Sequence, residues 1–141
     1  MRWPRAGVLG AGLLLASACD GGAAPGASRC LPEPLSAEPA RAVVGRALTV
    51  SSPAASCDLG YPPGHTYDLR LDLEGRADPV DLGPVAVAGD GSFATTVTVP
   101  PDAPPGAASV SVTGSPYDEP CDDGERSCAG YSVRVVLLAA S

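Results

Sequence analysis

Residues Thr66 to Glu74 read TYDLRLDLE. Tyr67, Leu69, Leu71 and Leu73 fall on one side of an extended chain, and Asp68, Arg70, Asp72 and Glu74 fall on the other. A period of two this regular belongs to a β-strand with one buried face and one wet face. On a helix the same four apolar residues would scatter around the axis. Upstream, Arg46 to Ser51 alternates with Leu48 and Val50 on one face, and Ser36 to Arg41 reads as a weak edge strand broken by Pro39. Downstream, Val80 to Ala88 forms a short strand centred on Val85 and Val87. Gly89-Asp90-Gly91 is a hairpin signal, because Asp-Gly tolerates the positive φ of tight turns.

Ser92 to Val99 alternates again, with Phe93, Thr95, Val97 and Val99 on the inward side. Pro100 to Gly106 carries four prolines and therefore lacks four donors, so it is a connection at the sheet margin. Ala108, Val110 and Val112 face inward, as do Tyr131, Val133, Val135 and Leu137 after a long loop. The expectation is an all-β, antiparallel β-sandwich of about seven strands, two of them weak, with no helix and no internal repeat.

The whole chain has 141 residues, 17 Gly, 16 Pro, 5 Cys and a formal charge of −7. It contains no Lys, Asn, Gln or Ile, types with mostly AT-rich codons, which marks a GC-rich genome rather than a function. The acidic balance excludes nucleic acid, whose phosphates need Lys and Arg contacts. The Gly and Pro content alone would suit disorder. The regular alternation opposes that reading for most of the chain.

The first residues read as an export signal. Arg2 and Arg5 make a short positive region, and Val8 to Ala16 is an apolar run too short to span a membrane, which takes ~20 residues. The run ends in Leu15-Ala16-Ser17-Ala18-Cys19, which resembles the lipobox of bacterial lipoproteins. The resemblance implies that residues 1–18 are removed and that Cys19 carries a diacylglycerol thioether, anchoring the protein on the outer side of the cell membrane. An ordinary secretory cut after Ala18, leaving Cys19 as a free thiol, is the alternative. Loss of Arg2 and Arg5 with the signal takes the formal charge from −7 to −9. An acidic chain gains nothing from anionic headgroups, so attachment would rest on the lipid. Residues 19–29 then form the anchor and a Gly/Ala/Ser-rich tether, and residues 30–138 form the folded domain.

Within that domain, Ala88 to Gly114 reads AGDGSFATTVTVPPDAPPGAASVSVTG. A Gly-Ser-Phe turn, a Val-Pro, a Pro-Pro-Gly and an alternating Val strand resemble a segment of bacterial immunoglobulin-like domains of actinobacterial type. Ala47-Leu48-Thr49-Val50, followed by Ser-rich residues and Cys57, resembles the second strand of such domains. The resemblance implies an immunoglobulin-like sandwich; it implies little about function, because its motifs encode turns and edges. Four cysteines remain after Cys19, namely Cys30, Cys57, Cys121 and Cys128, and an even count in an exported domain reads as disulfides. In an immunoglobulin-like topology all four come to one end of the sandwich. Cys30–Cys57 with Cys121–Cys128 is the nearest-neighbour pairing; Cys57–Cys121 with Cys30–Cys128 is the other.

Chemistry-bearing constellations are few. His65 is the sole His, with no Gly-x-Ser-x-Gly elbow, and it reads as a solvated loop residue. A blue-copper site needs two His, one Cys and usually a Met, and the mature chain has one His and no Met. No nucleophile–base pair, metal set or cofactor loop is visible, so no enzyme and no cofactor are expected. The densest polar cluster is the loop 114–130, where Asp118, Glu119, Asp122, Asp123 and Glu125 put five carboxylates in eight residues. It reads as a solvated acidic loop, with a Ca²⁺ site or a docking surface for a basic partner as alternatives. Tyr61 and Tyr117 lie in loops where exposed rings could recognise a carbohydrate or other ligand, or else pack over the disulfides. The expected function is a surface-displayed binding or structural role toward an unidentified cell-envelope or protein partner. A ligand- or calcium-binding module built on loop 114–130 is the alternative.

Overall fold

A computed structural model describes residues 29–118 and 130–141. Among these residues the strands are β1 (Ser36–Glu38), β2 (Arg41–Val43), β3 (Ala47–Ser52), β4 (Thr66–Leu73), β5 (Val80–Ala86), β6 (Phe93–Thr98), β7 (Gly106–Thr113) and β8 (Ser132–Leu138). They make two sheets, ordered β1-β3-β6 and β2-β8-β7-β4-β5. All pairings are antiparallel except that of β2 with β8. The chain is all-β, and its two sheets close over one core.

The alternation that defines β4 is physical. Tyr67, Leu69, Leu71 and Leu73 are buried, while Asp68 and Arg70 are exposed. β4 is flanked on both sides, pairing Leu71 with Val110 of β7 and with Val80 of β5. Its apolar face joins Ala108, Val110 and Val112 of β7 and Val135 and Leu137 of β8, and meets Leu48, Val50 and Phe93 from the other sheet. Most of these side chains are Val, Leu or Ala, so each buries modest area.

Three expectations need correction. Ser36 to Arg41 is not one strand. At Pro39 the chain leaves the three-stranded sheet and enters the five-stranded one, so β1 pairs with β3 and β2 pairs with β8. Proline supplies no N–H to continue a ladder, which makes it a natural point for that exchange. The described residues consequently hold eight strands, not seven. The turn at Gly89-Asp90-Gly91 is tight, with Gly91 N–H donating to the Ala88 carbonyl at 2.9 Å and Asp90 accepting from Ser92 N–H at 3.0 Å. It does not, however, close a hairpin within one sheet, because β5 pairs with β4 and β6 pairs with β3.

Glycine matters most at Gly114, where φ is +98° and an added Cβ would sit 2.9 Å from the Thr66 carbonyl oxygen. Gly75 also has positive φ, +79°, but faces open space. Gly75→Ala is expected to lower stability by about 1 kcal/mol through backbone conformation alone. Gly114→Ala should cost clearly more, because backbone must move as well. Equal losses in chemical denaturation would contradict the close approach at Gly114.

Candidate functional site

Phe93 and all four tyrosines gather at one end of the two sheets, with His65. The strand directions explain this. Tyr67 is near the start of β4, Phe93 starts β6, Tyr131 precedes β8, and Ser52 ends β3. Tyr67 is the hub. Its ring makes edge-to-face contacts with Tyr61, His65, Phe93 and Tyr131 at centroid distances of 5.9, 5.7, 5.6 and 6.0 Å. Edge-to-face geometry suits the quadrupole of each ring and adds roughly 0.5–1.5 kcal/mol per pair beyond area burial.

The polar atoms of the cluster are committed to one another. The Tyr67 and Tyr61 hydroxyls share a hydrogen bond of 2.7 Å. Tyr131 Oη lies 2.6 Å from the Glu33 carbonyl oxygen and 2.9 Å from Ser52 Oγ. Ser52 Oγ donates to the same Glu33 carbonyl at 2.9 Å, so two hydroxyl protons serve three oxygens. His65 Nε2 donates to the Gly114 carbonyl at 2.7 Å, which fixes a proton on Nε2, and its ring stacks on Tyr61 at 4.0 Å. Tyr117 stacks on Tyr131 at 5.0 Å. No buried side-chain nitrogen or oxygen of the described residues lacks a partner.

His65 is therefore not the solvated loop residue its sequence context predicts. It is half-buried, and it ties the strand leading into β4 to the chain leaving β7. The signal was present: His65 is in phase with Tyr67 and Leu69. Ser52 is a site residue of the same kind, because it continues the inward series Leu48 and Val50. A polar residue in an inward phase is read as the end of a strand unless its partner, here 79 residues away, is known.

Cys30 and Cys57 are joined, with an S–S distance of 2.01 Å. The bridge spans a sequence separation of 27, which corresponds to ~3.5 kcal/mol on the chain-entropy model. Cys19, Cys121 and Cys128 lie outside the described residues, as do Glu119, Asp122, Asp123 and Glu125. Of the five carboxylates of the acidic loop, Asp118 alone is among the described residues. It is exposed and accepts the Gly114 N–H through Oδ2, at the close of a turn in which Asp118 N–H donates to the Ser115 carbonyl at 3.0 Å. Tyr61 and Tyr117 are half-buried, each with a ring face against a neighbour. Among the described residues, no three His, Cys, Asp or Glu side chains group as metal ligands would.

No protein-family model matches the sequence, and no curated protein matches it. Among solved structures, the chain is similar to a superoxide reductase (neelaredoxin) from Ignicoccus hospitalis, at 14% identity and a TM-score of 0.43. The alignment covers 78% of this chain and 82% of that one.

Burial raises the pKa of Tyr67, and the hydrogen bond with Tyr61 raises it further. Burial also raises Tyr61 and Tyr131, partly offset by the hydrogen bonds with Tyr67 and Ser52 respectively. A raised phenol favours the folded, protonated state, so its contribution is complete below the unfolded phenol pKa of about 10 and is lost as pH rises beyond it. In an alkaline titration, ionisation of these three tyrosines, read near ~295 nm, should coincide with loss of the sheet circular dichroism signal. Ionisation of all of them well before unfolding would contradict the burial of the cluster. Tyr61→Phe should cost about 1–3 kcal/mol by leaving the buried Tyr67 hydroxyl unpaired, and Tyr67→Phe should cost less, because the half-buried Tyr61 hydroxyl can turn to water. Denaturant midpoints in the reverse order would overturn the assignment of Tyr67 as the group that needs its partner.

Proposed function

We propose that the chain is a lipid-anchored extracytoplasmic protein whose immunoglobulin-like domain has a non-enzymatic binding or structural role. The strand order β1-β3-β6 and β2-β8-β7-β4-β5 supports the immunoglobulin-like reading, because the chain crosses between the two sheets repeatedly, after β1, β2, β3, β5 and β6, as sandwich connections do. The Cys30–Cys57 bridge carries the location. It follows closely on the segment that resembles a lipoprotein leader, and disulfides persist in oxidising compartments.

Commitment of the polar groups supports the non-enzymatic reading. The one histidine holds a backbone carbonyl, and the tyrosine and serine hydroxyls around it hold each other, so His65 does not activate a neighbouring hydroxyl. The loops at the ring-bearing end are the natural place to meet a partner in the cell envelope. Metabolic labelling with a fatty acid tests the anchor. Label should enter the wild-type protein and disappear in Cys19→Ala. A wild-type protein without label, or a Cys19→Ala protein with undiminished label and membrane attachment, refutes the lipobox reading.

A further inference from the structure

Among the described residues the two sheets have four edge strands, β1, β6, β2 and β5, and three of these edges are blunted. β1 and β2 are three residues each, and Pro39 separates them. β5 carries Asp81, a register shift opposite Leu69 and Arg70, and Pro84. Such features oppose the addition of another strand. β6 has none of them. Its six residues, FATTVT, include no charge, no proline and no glycine, in a chain of formal charge −7.

The ladder shows which β6 groups are open. Val99 N–H donates to the Arg46 carbonyl and Gly45 N–H donates to the Val99 carbonyl, so the main-chain groups of Val99 point toward β3. In an antiparallel ladder the direction alternates by residue. Phe93, Thr95 and Val97 therefore also point toward β3, and the N–H and C=O of Ala94, Thr96 and Thr98 point outward. Beside this edge lies a groove of about 350 Å³ between β5 and β6, lined by the half-buried Leu82, Val85 and Val97 and by polar groups that include Asp81 on the β5 side and Thr96 on the β6 side.

We propose that β6 is a self-association edge, pairing antiparallel with β6 of a second copy about a two-fold axis at Thr96. The outward set is symmetric about Thr96. Ala94 meets Thr98 of the second copy, Thr96 meets Thr96, and Thr98 meets Ala94, so three residues on each strand satisfy all their outward groups without overhang. The three-stranded sheets join into one of six strands. A two-fold axis normal to the sheet keeps inward residues inward, so Thr95 and Val97 of the second copy enter the groove beside Leu82 and Val85. The occupant is a second copy because the edge is neutral while the molecule is acidic, so two copies can meet there with no carboxylate on either pairing strand. The two ring-bearing ends then point in opposite directions.

The test uses the full chain purified in detergent. Thr96→Cys should form a disulfide-linked dimer under mild oxidation, since the paired residues at the axis come within ~5.5 Å of each other at Cα. Thr49→Cys, one strand in from the edge, should not. Sedimentation velocity over a concentration series should show a monomer–dimer equilibrium that tightens as salt screens two acidic molecules. Thr96→Glu should remain monomeric with an unchanged circular dichroism spectrum. A wild-type chain that stays monomeric at every concentration, equal cross-linking at both cysteines, or a dimer that survives Thr96→Glu overturns the proposal.

Discussion

Everything at one end of this molecule depends on the burial of the Tyr67 ring. The core elsewhere is Val, Leu and Ala, and the chain has one Phe. β4 brings a tyrosine to the inward face where a leucine would otherwise stand, and a tyrosine there brings a hydroxyl that must be paired. Tyr61 supplies the pair, and so the loop before β4 is drawn over the end of the sheets. Tyr131 poses the same problem just before β8 and is answered by Ser52 and the Glu33 carbonyl. The loops are thus held by polar groups that cannot be left unpaired as much as by apolar contact.

That constraint reaches the start of the acidic loop. Gly114 can approach the Thr66 carbonyl because it has no Cβ, and its own carbonyl then receives the His65 proton. Ser115 is buried, its carbonyl accepts Asp118 N–H, and Asp118 accepts the Gly114 N–H. The carboxylate that begins the acidic run is accordingly part of a turn. Its first role is to satisfy a backbone donor, as short acidic residues in turns commonly do.

Legibility in the sequence followed the source of each signal. β3, β4, β6, β7 and β8 were legible because alternation is imposed by having one face wet and one dry, and the residues themselves record it. β5 was faint because it is an edge with a register shift, and its burial does not alternate cleanly. The split at Pro39 was visible as an interruption, but its destination was not: which sheet a strand joins is decided by partners far away in the chain. The tight turn after β5 failed for the same reason. Gly89-Asp90-Gly91 encodes a reversal of direction, and nothing local encodes that the strands on either side belong to different sheets. In the candidate site, Cys30–Cys57 was one of two pairings that the sequence left open, and the roles of Ser52 and His65 were not legible, because their partners come from other elements.

Two independent devices therefore act on the same loops. The disulfide removes conformations from the unfolded chain, and the paired hydroxyls act on the folded one. Neither substitutes for the other: a bridge does not choose among compact loop shapes, and a hydroxyl pair does not limit an unfolded segment. Together they hold the segment before β1 and the segment between β3 and β4 in one shape at the ring-bearing end. Ordering side chains and loops on association costs about 0.5–1.5 kcal/mol for each flexible side chain fixed, and a surface ordered in advance avoids that loss. A small core of thin side chains would otherwise leave its end loops loose. By concentrating its rings and a bridge at one end, the chain fixes the segment before β1 and the segment between β3 and β4 there, and keeps its neutral edge on a different side of the molecule.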